Sequence, residues 1–167
     1  SASVRGGGGA PPPVSEVDGP DLSGVKDAVA AGQVSALYVF DPGPDGSIGD
    51  TQWILDARAQ GKLPLLVVHG VLLTALAQAA DFVLPGASFV EKDASYTNDQ
   101  GRLQGASRAI PAPGEALEDW QVVVNVAAAL GVSFPYQSSA DVREAIAATH
   151  GDVAELQGVA TLSFGRA

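Results

Sequence analysis

LPLLVVHGVLLTALAQAADFVLP, residues Leu63–Pro85, holds the pattern that sets the architecture of this chain. Leu65 to Val68 is a short apolar run, rich in branched side chains, of the kind that fills a strand covered on both faces. Leu72 to Ala79 is built from Leu, Ala, Gln and Thr and reads as a short helix, and Phe82 to Leu84 is a further short apolar run. Leu63 to Ala80 carries no charge and approaches the length of a membrane span, roughly 20 residues. Pro64, His69, Gly70, Thr74 and Gln78 interrupt it, so strand and short helix are expected and no direct membrane insertion.

Upstream, Ala36–Phe40 (ALYVF) is another buried-strand pattern. A helix is predicted before it over Leu22–Ala31, with Leu22, Val25 and Val29 on one face and Gly32 as the residue that ends it. After the strand comes a turn-rich loop, DPGPDGSIGD. A helix follows with Asp50 as N-cap, Trp53 and Ala57 inward and Gly61 as terminator. The strand–helix–strand–helix–strand order predicts an α/β fold: a Rossmann-like parallel sheet with flanking helices and right-handed crossovers. Open parallel sheets bind at the carboxyl ends of their strands, here Asp41–Gly49, His69–Val71 and Gly86–Gly105.

The last of these loops lies in the chain's most distinctive stretch, ADFVLPGASFVEKDASYTNDQGRLQGASRAIPAPGEALEDW, Ala80–Trp120. Glu91, Lys92, Thr97, Asn98, Arg102 and Gln104 crowd a polar segment that a plain linker does not need. A helix is expected from Glu115 to Leu130, with Leu117, Trp120, Val124 and Ala127 along one face and Gly131 closing it. A last helix is expected over Ala140–His150, with Ser138 and Asp141 at capping-box spacing and Gly151 after it.

At 167 residues the chain suits one domain or a large piece of one. Residues 1–20, with GGGGAPPP, have the composition of a linker. Residues 21–151 form the predicted domain, and 152–167 a tail with a short-strand pattern at Ala160–Phe164. There is no methionine, the initiator included, so the chain is expected to be a fragment or a processed product. The net charge of −10 repels phosphate backbones and anionic lipid surfaces, and no nucleic-acid partner is expected. With no cysteine, the segment can supply neither disulfides nor thiolate ligands for iron–sulfur clusters.

Candidate chemistry is sparse. His69 and His150 are too few and too separated to suggest zinc. His69 reads as a capped or partly buried strand-end residue, and His150 as a helix-terminal cation. The glycines of GGGGAPPP follow no strand and lack the Lys-Ser/Thr of a phosphate loop. Asp41 and Asp45 lack the spacing and bidentate Glu of a calcium loop. Trp53 and Trp120 fall at helical core positions. No metal-ligating or catalytic residue is expected.

The ordered motifs resemble those of the molybdopterin oxidoreductase superfamily, most closely its branch formed by the large G subunit of respiratory complex I (NADH–quinone oxidoreductase). The resemblance rests on Ala80, Asp81, Val83, Leu84 and Pro85, then Glu91, Lys92, Asp93, Thr97, Asn98, Gly101, Arg102 and Gln104. Pro113, Gly114, Glu115, Ala116, Asp119 and Trp120 complete it. Ala94-Ser95 stand where that family has Gly-Thr, and Gln100 where Glu precedes Gly-Arg.

The resemblance implies part of a larger molybdopterin-oxidoreductase-like domain, in a parent subunit carrying iron–sulfur clusters. The parent complex would pass electrons from NADH to quinone with proton translocation. Its partners would be other subunits of the peripheral arm, on the cytoplasmic side of the membrane. On that implication this segment has no cofactor of its own, and Glu91, Lys92, Thr97, Asn98, Gly101, Arg102 and Gln104 form a structural signature loop. The alternative is an active molybdenum or tungsten enzyme of the formate dehydrogenase or nitrate reductase type. There Asn98, Arg102 and Gln104 would face molybdopterin guanine dinucleotide, with amide and guanidinium donors suited to its polar edges.

Overall fold

A computed structural model describes residues 22–40, 49–97 and 103–149. Residues 1–20, the tail 152–167, most of the Asp41–Asp50 loop, His150 and Gly151 lie outside the described residues, as do the expectations attached to them. The described chain divides into two compact units with the boundary after Gly86.

The first unit holds helix α1 (Leu22–Ala30), strand β1 (Ala36–Phe40), helix α2 (Gln52–Ala59), strand β2 (Leu65–Gly70), helix α3 (Ala75–Gln78) and strand β3 (Phe82–Pro85). The strands make a parallel sheet in the order β1-β2-β3, as the alternating pattern predicts. Val39 is level with Val68 across one pair, and Val68 with Val83 across the other. The central strand is the most buried: Leu66, Val68 and His69 are inside, because β2 is paired on both edges. Around it pack Val29 of α1, Ile54 and Ala57 of α2, Leu63, and Leu76 and Ala77 of α3. Burying such side chains is worth about 25 cal/mol per Å² of apolar surface.

Four local readings change. Helix α2 takes Thr51 rather than Asp50 as its N-cap residue, yet the Asp50 carboxylate still accepts the Gln52 N–H at 2.9 Å. Ile54, fully buried, is the deepest side chain of that helix, while Trp53 is only half-buried. Strand β2 runs on through His69 and Gly70, so the loop at its carboxyl end begins at Val71. Helix α3 is a single turn starting at Ala75 because Thr74 stays extended and its hydroxyl accepts the Ala77 N–H at 3.2 Å. Among the described residues no helix is long and apolar enough to cross a membrane.

The second unit contains strands β4 (Ala94–Thr97) and β5 (Leu103–Ala106), then helices α4 (Asp119–Ala129) and α5 (Ser139–Thr149). The two strands form an antiparallel hairpin with Ser95 opposite Gly105 and Tyr96 opposite Gln104, where the sequence suggests only a loop. Helix α4 begins four residues later than expected. The Glu118 N–H donates to Gln121 Oε1 at 3.2 Å, the backward half of a capping box, and that fixes the start. Leu117 therefore precedes the helix, and Val122 rather than Trp120 is its buried residue. Gly131 closes it with φ 81°. Helix α5 is capped as its spacing predicts: Ser138 N–H donates to Asp141 at 2.9 Å, and Asp141 N–H to Ser138 Oγ at 3.2 Å.

Candidate functional site

The carboxyl end of the parallel sheet carries three rings. His69 is fully buried, deeper than its strand-end position suggests. Its Nδ1 lies 2.8 Å from the Tyr38 hydroxyl, and the Phe40 ring meets it edge-on at 4.8 Å. Parallel register brings them together, since Phe40 is level with His69. The Tyr38 hydroxyl serves Nδ1 of the buried imidazole, and the three rings fill the strand ends, a packing role.

At the opposite end of the sheet sits the first motif residue. The Asp81 carboxylate accepts the Leu66 N–H at 2.7 Å and the Arg58 guanidinium at 2.8 Å. Arg58 also donates to the Leu63 carbonyl at 2.9 Å and the Pro64 carbonyl at 2.8 Å. One guanidinium thus ties the end of α2, the entry to β2 and the entry to β3. The Leu66 N–H, aided by Arg58, holds the Asp81 carboxyl below the ordinary carboxylate value. The Gln137 N–H, with Ser138, does the same for Asp141.

In the second unit the Glu91-Lys92-Asp93 run has a described partner at each position. Glu91 accepts the Ser88 N–H at 2.8 Å and closes the turn after β3. Lys92 pairs with Asp119 at the first turn of α4. Asp93 accepts the Arg108 N–H at 2.8 Å, bracing the segment after β5. Trp120 donates its indole N–H to Glu118 at 2.8 Å, and Ala87, fully buried, donates to the Leu117 carbonyl at 2.8 Å. The Lys92–Asp119 pair thereby clamps the Glu-Lys-Asp run to the Asp-Trp pair that closes the motif stretch.

Two further signature residues, Thr97 and Gln104, lie on the hairpin strands. Thr97 ends β4 and Gln104 lies on β5 opposite Tyr96, while their side chains, and Asn98, Gly101 and Arg102 entirely, are outside the described residues. Between the hairpin and the two helices lies an open cleft of about 170 Å³, lined by Lys92, Asp93, Ser95, Glu118, Trp120 and Arg143 among others. Arg143 attracts no attention in the sequence, because nothing in its local pattern distinguishes it from any cation on a helix. Among the described residues no cluster of three or more His, Asp or Glu could hold a metal.

Residues 13–129 match the profile of the molybdopterin oxidoreductase family. The chain is 38% identical over 122 residues to F420-dependent formate dehydrogenase 1 subunit alpha of Methanococcus maripaludis, covering 72% of this chain and 18% of that protein. It is 36% identical over 124 residues to the mitochondrial NADH-ubiquinone oxidoreductase 78 kDa subunit of Neurospora crassa, covering 69% of this chain and 17% of that subunit. It is 30% identical over 138 residues to the assimilatory nitrate reductase catalytic subunit of Bacillus subtilis, covering 81% and 19%. In fold it is similar to acetylene hydratase from Pelobacter acetylenicus, with TM-score 0.58 and 22% identity over 70% of this chain and 17% of that one. The chain spans less than a fifth of the length of each of these relatives.

Proposed function

The chain belongs to the molybdopterin oxidoreductase family, and on that premise we propose that it is a scaffold segment of the large iron–sulfur G subunit of an NADH–quinone oxidoreductase. The observation that carries this reading is how the motif residues are used. Asp81, Glu91, Lys92, Asp93, Asp119 and Trp120 all engage neighbours within the chain. Polar groups satisfied in this way position a fold and leave the electron transfer to cofactors elsewhere in the parent. The 36% identity to a 78 kDa complex I subunit supports the assignment. The parent complex then moves electrons from NADH through iron–sulfur clusters to quinone with proton translocation. This segment packs against other subunits of the peripheral arm, on the cytoplasmic side of the membrane.

A second reading has its own support in the 38% identity to a formate dehydrogenase subunit. Under it the parent is a molybdenum or tungsten enzyme holding molybdopterin guanine dinucleotide, which supplies the metal-centred redox chemistry. Gln104 on β5, and Asn98 and Arg102 in the sequence between Thr97 and Leu103, carry amide and guanidinium donors of the type that a pterin's polar edges accept.

Metal and pterin analysis of the purified full-length parent separates the two. Iron with neither molybdenum, tungsten nor pterin, together with NADH–quinone activity, is the expected result. Stoichiometric pterin and molybdenum or tungsten would overturn the first reading in favour of the second.

A further inference from the structure

We propose that the cleft between the β4–β5 hairpin and helices α4 and α5 is a binding site for a carboxylate group, anchored by Arg143. The acids that line it already have described partners: Asp119 holds Lys92, Asp93 accepts the Arg108 N–H, and Glu118 accepts the Trp120 indole N–H. Arg143 differs. Its Nε–H is buried and has no acceptor among the described residues. A buried donor on a charged group is costly to leave unmade, so an acceptor supplied from outside the chain gains what the fold leaves open.

The chemistry of that acceptor follows from the walls. A guanidinium presents parallel N–H groups that a flat carboxylate meets with two oxygens at once. Val142, Ile146 and the Trp120 ring supply apolar surface next to it. The volume of about 170 Å³ equals some five or six waters at roughly 30 Å³ each, enough for a carboxylate on a small hydrocarbon body. Such a group can come from a free organic acid or from an acidic side chain of another protein segment.

Trp120 reports on the cleft it lines. In a Trp53→Phe background its fluorescence is followed while sodium benzoate, the capped dipeptide acetyl-Leu-Glu-amide, or inorganic phosphate is added. A saturable response to benzoate, weakened roughly tenfold or more in R143Q, supports a site for a free acid. A response to the dipeptide alone, lost in the same variant, supports a carboxylate presented by a protein chain. The proposal is overturned if neither carboxylate gives a saturable response, if phosphate binds equally well, or if R143Q with a native circular dichroism spectrum binds like the parent. Should R143Q fail to fold, R143K keeps the charge without the fork, and unchanged benzoate binding in that variant is equally fatal.

Discussion

The Lys92–Asp119 pair is the most direct test of the scaffold reading, because it joins two motifs that are 27 residues apart in sequence. Its worth follows from its setting. Exposed ion pairs contribute about 0.2–1 kcal/mol, whereas breaking a fully buried pair costs about 3–5 kcal/mol. Lys92 retains 15% of its side-chain exposure and Asp119 30%, so the pair sits between these limits, at about 1.5–2 kcal/mol. Asp119 also stands in the first turn of α4, where a negative charge gains about 0.3–1 kcal/mol from the helix dipole. Asp119→Asn alone therefore overstates the pair. A double-mutant cycle of Lys92→Met and Asp119→Asn removes the dipole contribution and isolates the coupling. Urea unfolding of the four proteins, followed by circular dichroism, measures it. A coupling under about 0.5 kcal/mol would mean that the two motifs are neighbours without being a clamp, and the scaffold argument would lose its main support.

Leu66→Ala, at a fully buried position on the central strand, should cost about 3–4 kcal/mol, while Phe82→Ala on the 60% exposed edge position should cost under about 1 kcal/mol by the same measurement. Asp81 has a folded pKa below its ordinary value of 3.8, so its contribution is present above that value and is lost as pH falls through the folded pKa. The urea midpoint of Asp81→Asn should accordingly be lower than that of the parent at pH 6, with the gap closing in acid; a gap that persists unchanged at the lowest accessible pH contradicts this. Gly131→Ala should lose about 1 kcal/mol in thermal or urea unfolding, because the residue sits at φ 81° although no neighbour would touch an added methyl.

The first unit was readable from local pattern. Its strands are short apolar runs, its two longer helices are followed by glycine, and alternation of strand and helix leaves few topologies. The boundaries shifted where one side chain or pairing decided them, as with the Thr74 hydroxyl and the pairing of His69 with the end of β1. The hairpin was hidden because Ala94–Thr97 and Leu103–Ala106 mix small and polar residues, and their pairing is a relation between segments rather than a property of either. The motif residues stood out by type, but their partners did not. Asp93 meets Arg108 and Lys92 meets Asp119 only through the folded path of the chain. Arg143 became notable only when burial showed its Nε without an acceptor.

The guanidinium of Arg58 has a consequence for how the first unit opens. It touches the carbonyls of Leu63 and Pro64 and the carboxylate that in turn receives the Leu66 amide. Peeling away the β3 edge would therefore release contacts at the end of α2 and the entry to β2 in the same event. Fraying from that edge is discouraged, and the sheet and its second helix should exchange amide hydrogens as one cooperative block, with the Leu66 N–H among the best protected.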